Sequence, residues 1–311
     1  MDQAGTHLLD SFTQELSLPE IDADACVYAL VDQADCQACV DSCPAQAWVL
    51  DEESLGLDTD ACDGCGLCVP ACPGGALHIH FPWVIRPFAG RTIALFACDQ
   101  SGIKKNPGVL PCIHSLGLRQ LLLLYNSGIE YLLIATDECA KCRRHQASDI
   151  HRRIEQLNKL LLERIKPPMK ILQRSNQVWL RIFNTDEMIT RGTRLSRRKF
   201  LRGGGETIRH QLVVLDPLNI SECRTVPPGQ LLPGAATKGD LHWPWAPSLD
   251  EQLCNGCDAC IKLCPTDALQ LLQEKDGDEK RDHEDETGSS PSYQLNPSSC
   301  TGCGVCATVC E

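Results

Sequence analysis

Four runs of closely spaced cysteines constrain the fold of this 311-residue chain more than any other feature. Two runs follow the pattern C-x2-C-x2-C-x3-C-P, a third keeps this spacing but ends at Glu311 instead of proline, and the first is a variant in which Cys26 stands apart. The runs are Cys26, Cys36, Cys39 and Cys43; Cys62, Cys65, Cys68 and Cys72; Cys254, Cys257, Cys260 and Cys264; and Cys300, Cys303, Cys306 and Cys310. Such spacing lets one turn wrap three thiolates around a corner of a cubic iron–sulfur cluster.

The spacing resembles that of bacterial two-cluster ferredoxins, in which the fourth ligand of each cluster comes from the other motif. The resemblance implies four [4Fe–4S] clusters. We number the predicted sites along the chain, and site 3 is defined below. The four predicted ligand sets are site 1 (Cys26, Cys36, Cys39, Cys72), site 2 (Cys43, Cys62, Cys65, Cys68), site 4 (Cys254, Cys257, Cys260, Cys310) and site 5 (Cys264, Cys300, Cys303, Cys306).

Two alternatives to this assignment stay open at the level of sequence. Gln33 stands where the first run normally has a ligand, so Cys26 has to loop back, and a three-iron cluster is the alternative for site 1. Paired C-x2-C motifs also bind zinc, although zinc sites use two pairs rather than triplets followed by x3-C-P. A disulfide scaffold is typical of short secreted chains and does not fit this length.

Four more cysteines lie between the two pairs of runs, in the contexts FACDQ, LPCIHS and TDECAKC. Residues 91–165 there resemble the two-iron delta subunit of methyl-viologen-reducing hydrogenases. The resemblance implies a [2Fe–2S] cluster at site 3, whose ligands are Cys98, Cys112, Cys139 and Cys142. A second cysteine shortly after the first is common in that family and is missing here, so a zinc site or a vestige is the alternative. His114 and His145 could be Rieske-type ligands, but ordinary polar roles are favoured, and Cys223 is interpreted as a structural or incidental thiol.

The predicted fold class is α+β, with two ferredoxin-like dicluster modules flanking a small parallel α/β domain. The modules span 21–85 and 251–311, and the α/β domain spans 90–184. Residues 1–20 form a tail, and 185–250 form a linker that is first basic and then rich in Pro and Gly. The second module carries an acidic insertion at Glu274–Glu286, which we expect to be a mobile loop.

Several segments carry specific predictions of secondary structure. Short strands are expected after the first two motifs, at Ala47–Leu50 and Ala76–Ile79. In the middle domain, strands are predicted at Arg91–Ala97, Tyr131–Ala135 and Val178–Phe183, and helices at Leu116–Tyr125 and Ile150–Ile165. Sites in parallel α/β sheets lie at the carboxyl ends of strands, where Cys98 and Cys139 would then be.

The composition limits the function classes. The net charge is −12, yet residues 141–210 hold 18 Lys and Arg against 6 Asp and Glu, which is compatible with a docking patch for charged protein partners or with a solvated helical face. Aromatic residues make up 5% and no recognised nucleic-acid motif occurs, so nucleic acid is not an expected partner. No signal peptide or apolar run of 18 residues is visible, so no transmembrane segment and a cytoplasmic location are expected.

These features predict an electron-transfer protein in which the middle domain joins two two-cluster units. Hydrogenase, heterodisulfide-reductase-like or formate-dehydrogenase subunits are the expected partners, by resemblance. No catalytic constellation or nucleotide motif stands out, which favours a non-catalytic subunit of an oxidoreductase. The alternative is a maturation factor that loads a molybdoenzyme. It is suggested by Ser196–Arg202 (SRRKFLR) and Trp243-Pro244-Trp245, which resemble the assembly ferredoxin of periplasmic nitrate reductase.

Overall fold

The computed structural model describes only part of the chain, and most of the predicted tail and linker, together with four further sequence predictions, fall elsewhere. The described residues are 18–31, 34–51, 54–79, 83–103, 106–144, 149–185, 226–234, 241, 243, 245–250, 252–271 and 293–310. His145, Cys223, Ser196–Arg202 and the acidic insertion at Glu274–Glu286 lie outside these residues. Within them, no helix combines the length and the apolar character that crossing a membrane requires.

The first module consists of short elements around two cysteine motifs. In chain order these are β1 (Glu20–Ile21), α1 (Val27–Leu30), α2 (Ala38–Asp41), β2 (Trp48–Leu50), β3 (Leu55–Leu57), α3 (Cys68–Ala71) and β4 (Leu77–His78). Strand β1 pairs with β4 and β2 pairs with β3, both antiparallel. Trp48, Val69 and Leu77 are buried together with Cys39 and Cys68. The short strands predicted after each motif are therefore confirmed, within one residue at each end.

A five-stranded mixed sheet forms the middle of the molecule. Its elements are β5 (Val84–Phe88), β6 (Arg91–Cys98), β7 (Val109–Leu110), α4 (Leu118–Asn126), β8 (Tyr131–Ala135), α5 (Ile150–Glu163), β9 (Lys170–Gln173) and α6 (Asn176–Phe183). The strand order is β5-β6-β8-β9, with β7 also paired to β6. All these pairs are parallel except β5 with β6, which is antiparallel, so the sheet is not purely parallel as predicted. It begins at Val84, inside the range predicted for the first module.

Both faces of this sheet are buried, and the side chains of β6 alternate between the two faces. Ala94 and Phe96 pack into the larger apolar core with helices α4 and α5. Ile93 and Leu95 face the other way and pack with Trp179 of helix α6. Continuous apolar strands such as β6 need helices on both faces of the sheet, as is typical of largely parallel sheets.

Two sequence predictions in this domain are corrected. Val178–Phe183 belongs to helix α6 instead of a strand, and Lys170–Gln173 is the strand that pairs with β8. A short, densely apolar run is compatible with the spacing of a helix and with that of a buried strand. Trp179 and Ile182 are buried three residues apart, which indicates a helix. Ile165, predicted on the buried face of α5, lies beyond its end with φ 57° and is 67% exposed.

The C-terminal part begins with α7 (Pro228–Leu231), which packs on α4, where Asn126 Nδ2 donates to the Leu231 carbonyl at 2.8 Å. It continues with α8 (Ala259–Lys262), β10 (Leu269–Leu271), β11 (Tyr293–Leu295) and α9 (Val305–Thr308). Strands β10 and β11 pair antiparallel, with Leu269 opposite Leu295. This hairpin between two cysteine motifs has the same layout as β2 and β3 in the first module.

Candidate functional site

The three Cys-Pro cysteines are each followed by the same turn. Three residues after the cysteine, the backbone adopts a left-handed conformation, and the N–H of the next residue then donates to the cysteine Sγ at 3.3 Å in all three turns. The left-handed residues are Gln46 (φ 52°), Gly75 (φ 70°) and Asp267 (φ 50°), and the donors are Ala47, Ala76 and Ala268. An N–H aimed at sulfur stabilises a thiolate, as a cluster ligand requires.

The C-x2-C turns are equally regular. The residue before the second cysteine is a left-handed glycine in three motifs, namely Gly64 (φ 65°), Gly256 (φ 71°) and Gly302 (φ 76°). The Asp63 and Asn255 side chains accept from the N–H of Cys65 and Cys257 at 3.2 and 3.1 Å. Glycine adopts positive φ without the steric cost that other residues pay, so these turns can point several backbone N–H groups toward the thiols.

All four cysteines of site 1 line one small cavity, although Cys26 and Cys72 are far apart in sequence. Burial, followed by the charges of Cys72 and Cys36, raises the pKa of Cys39 to about 11. Cys26 is itself buried and precedes helix α1. The fold therefore brings Cys26 into the cavity of Cys36, Cys39 and Cys72, and its role as a ligand stays a prediction.

The thiols of site 2 are also close together. Burial raises the pKa of Cys65 and of Cys68 to about 12, and the neighbouring thiolates of Cys65 and Cys62 add to the effect at Cys68. Burial raises the pKa of Cys62 as well, and the charge of Cys43 contributes. Thiols that resist ionisation this strongly need a cationic centre between them before all can be thiolates.

In the C-terminal module, the cysteines of site 5 line a cavity of about 180 Å³ beneath Trp245. The Cys300 Sγ donates to the Trp245 carbonyl at 3.6 Å. In site 4, burial raises the pKa of Cys260, and the charges of Cys254 and Cys257 contribute. The membership of Cys310 in site 4 stays a prediction.

Site 3 lies where three parallel strands end. Cys98 is the last residue of β6, Cys112 follows β7 and Cys139 follows β8, so the prediction that Cys98 and Cys139 lie at carboxyl ends of strands is confirmed. Together with Cys142, these cysteines line a cavity of about 370 Å³ that opens to solvent. Cys98 Sγ accepts the Gln100 N–H at 3.4 Å, and Cys142 Sγ accepts the Arg144 N–H at 3.5 Å. Burial raises the pKa of Cys112 to about 12.

Arg144 connects site 3 to site 2. Its Nε donates to Asp63 Oδ2 at 2.8 Å, its Nη1 donates to Asp99 Oδ2 at 3.0 Å, and Nη1 also donates to the Pro111 carbonyl. Partial burial alone would raise the pKa of Asp63, but the hydrogen bond and charge of Arg144 hold that pKa below its usual range. Sequence reasoning missed this residue because it pairs with a carboxylate 81 positions away.

His114 has a structural role in this site. Its Nδ1 accepts the backbone N–H of Ile150 at 3.2 Å, at the start of helix α5. The ordinary polar role favoured for His114 is thus observed.

The two dicluster modules also touch each other. Val305 of α9 is buried against Val27, Val31 and Ala34, and Cys36 and Cys303 pack against the same group. The modules are therefore in direct apolar contact as well, and the expectation that the middle domain joins them stays a prediction.

The donor chemistry fits iron–sulfur clusters. All twenty described cysteines are free of disulfides, and three of the five sites are cavities lined by all four of their predicted thiols. Within the described ranges, no three His, Cys, Asp or Glu side chains are close enough to hold a single metal ion.

Comparisons with known proteins bear on both ends of the chain. The 4Fe-4S dicluster domain family matches residues 34–77 and 251–311. Ferredoxin-3 of Nostoc sp. is 32% identical over 83 residues, covering 26% of this chain and 86% of that protein. Ferredoxin-3 of Rhodobacter capsulatus is 39% identical over 71 residues, covering 20% of this chain and 69% of that protein.

A third similar protein is part of a larger enzyme. A tetrathionate reductase subunit of Archaeoglobus fulgidus is 43% identical over 53 residues, which cover 17% of this chain and 26% of that protein. No solved structure matches the chain significantly. The repeated cysteine turns and these relatives agree: the chain belongs to the ferredoxin family and carries iron–sulfur electron-carrier domains of the 4Fe-4S dicluster type near both ends.

Proposed function

We propose that this protein is a five-site electron relay that serves a larger oxidoreductase. Sites 1, 2, 4 and 5 would each hold a [4Fe–4S] cluster and site 3 a [2Fe–2S] cluster, and such clusters supply one-electron carriers when bound. The observation that carries the proposal is the buried contact between Cys65 and Cys112, with Leu67 beside them. This contact brings a cysteine of the first ferredoxin module next to a four-cysteine cavity of the middle domain.

The chain's own residues support the relay in three ways. Backbone N–H groups donate to Cys43, Cys72, Cys98 and Cys264, which stabilises their thiolates. Apolar side chains exclude water between the two modules and between the first module and the middle domain. Arg144 places a buried positive charge between sites 2 and 3, which lowers the cost of holding negative charge at both.

The partner is proposed by class. The tetrathionate reductase subunit similar to this chain belongs by its name to a multi-subunit reductase. Hydrogenase, heterodisulfide-reductase-like and formate-dehydrogenase subunits are the partner classes that the middle-domain resemblance favours. The net charge of −12 would steer the chain toward positively charged surfaces on such a partner.

Iron and acid-labile sulfide analysis of anaerobically purified protein tests this function, together with EPR of the reduced sample. Four cubic clusters and one two-iron cluster predict about 18 iron atoms per chain and a separable two-iron signal. Cys112→Ser should remove about 2 iron atoms and that signal, whereas Cys223→Ser, outside every motif, should leave both unchanged. Stoichiometric zinc with little iron would refute the proposal.

The maturation factor remains the second candidate, and the SRRKFLR segment at Ser196–Arg202 is the observation that favours it. A count of about 16 iron atoms without a two-iron signal would leave two ferredoxin modules around a structural domain and support it. Cluster transfer to an apo-molybdoenzyme would then be the decisive assay. A relay should instead keep its clusters and pass electrons reversibly to a dye.

A further inference from the structure

The contact between the two dicluster modules joins one particular site of each. Val305 is 2% exposed and packs on Val27, and the partly buried Cys36 and Cys303 border the same apolar group. A cavity of about 240 Å³ beside this contact is lined by both Cys36 and Cys303. Site 1 and site 5 are therefore neighbours across the module boundary.

A second contact joins the first module to the middle domain, on the side of site 2. Leu67 is 2% exposed and is buried with Cys65 and Cys112. Packing is tight here, since a Cβ added to Gly66 would come within 3.1 Å of Ser115 Cβ. The ion pairs of Arg144 with Asp63 and Asp99 close the same boundary. Site 2 and site 3 are therefore neighbours as well.

Within each dicluster module, the two sites are also adjacent. Cys39 of site 1 and Cys68 of site 2 lie in one buried group with Trp48, and helix α2, which carries Cys39, contacts helix α3, which carries Cys68. In the C-terminal module, α8 carries Cys260 of site 4 and contacts α9, which carries Cys306 of site 5.

We infer that the five sites form one unbranched line in the order 4–5–1–2–3, whose two ends are site 4 and the open cavity of site 3. The inference rests on the proposed function and deepens it. It follows that electrons pass between the dicluster modules directly, without the middle domain. An electron that enters one end from an external reduced protein leaves at the other end to an external oxidised one, so the chain undergoes no net change.

The two ends of the line are accessible from solvent. Among the described cysteines, the two exposed ones are Cys257 and Cys310, both assigned to site 4. The cysteines of sites 1 and 2 include four that are buried. At the other end, Cys139 and Cys142 line an open cavity whose rim carries Glu138 and Lys141. Partner proteins can thus approach both ends of the line.

Two double variants of the full chain, both made in a Cys112→Ser background that lacks site 3, test the order by EPR of the fully reduced protein. Cys65→Ser with Cys257→Ser removes sites 2 and 4, and the remaining sites 1 and 5 should show magnetic coupling across the modules. Cys36→Ser with Cys303→Ser removes sites 1 and 5, and the remaining sites 2 and 4 should be magnetically isolated. The two variants have the same number of clusters, so coupling reports position alone.

The outcomes separate the order from the function. Uncoupled spins in the first double variant at full residual iron would overturn the order while leaving the relay intact, and absence of clusters in the unmodified chain would overturn both. If the double variants lose all their iron, Val305→Asp tests the order instead, in a chain that keeps every cysteine. It should abolish the inter-module coupling at unchanged iron content, and Val49→Asp, a matched change at a 55% exposed valine, should not. Equal coupling in both valine variants would overturn the order.

Discussion

Replacing Arg144 with methionine tests whether the boundary between the first module and the middle domain depends on a buried ion pair. The Arg144 side chain is 7% exposed and bridges Asp63 on one side of the boundary to Asp99 on the other, at 2.8 and 3.0 Å. Methionine fills a similar volume but donates no hydrogen bond. The two carboxylates and the Pro111 carbonyl would then lose a shared donor.

The expected loss of stability in Arg144→Met depends on how well water can replace the lost hydrogen-bond donor. Removing one partner of a fully buried pair costs about 3–5 kcal/mol. Here Asp99 is 37% exposed and Asp63 keeps its contact with Arg143, so we expect a smaller loss, about 2–3 kcal/mol. With a slope of about 2 kcal/mol per molar urea, the unfolding midpoint should fall by about 1 M.

Urea titration followed by far-UV circular dichroism measures this midpoint, and Arg143→Met is the matched control. Arg143 contacts the same Asp63 oxygen at 3.0 Å but is 77% exposed, so its loss should cost less than about 0.5 kcal/mol. In Asp63→Asn/Arg144→Met, the two effects should fall short of additive, because they share one contact. Equal midpoints for Arg144→Met and Arg143→Met would refute the reasoning.

Three further predictions concern local features of the fold. Trp179→Ala should lower the free energy of unfolding by about 3–5 kcal/mol, because the ring is fully buried and its Nε1 donates to the Phe96 carbonyl at 2.9 Å. The control Leu162→Ala, at a 63% exposed position, should change that free energy by less than about 0.5 kcal/mol. Urea titration measures both. Asp149 caps helix α5 by accepting the Arg152 N–H at 2.9 Å, so Asp149→Ala should cost about 1 kcal/mol and Asp149→Asn much less. That hydrogen bond lowers the pKa of Asp149, so the cap contributes fully above the unfolded carboxyl pKa of about 3.9 and is lost as the pH falls through the folded value. Thermal melts should show the same difference at about pH 8 and pH 5, and a loss of stability on raising the pH within that window would contradict the assignment. Gln46→Gly should stabilise the protein by up to about 1 kcal/mol, seen as a higher melting temperature, because exposed Gln46 has φ 52° and glycine adopts positive φ without strain. Gln46→Ala should give no such gain.

The local turns around the cysteines follow from the sequence. The C-x2-C spacing and its glycines predict tight turns with N–H groups aimed at sulfur, and Gly64 and Gly302 do adopt positive φ. The apolar run at Arg91–Ala97 likewise predicts a buried strand, which the structure shows as β6 ending at Cys98. Such features depend on neighbours in the chain, so sequence patterns report them well.

Helix α6 shows where local patterns fail. Val178–Phe183 is apolar enough for either period, and only the packing of Trp179 beneath β6 selects a helix. Ile165 continues the helical spacing of α5, yet the chain turns before it and leaves it exposed.

The sequence by itself determined that the chain carries two pairs of cysteine motifs, where each turn lies and which residues allow it, because these depend on spacing of a few residues. Only the tertiary structure decided that Arg144 bridges Asp63 to Asp99 and that Val305 brings site 5 against site 1. The physical reason is that these contacts join residues tens to hundreds of positions apart, and burial and charge pairing across module boundaries select them without any local pattern.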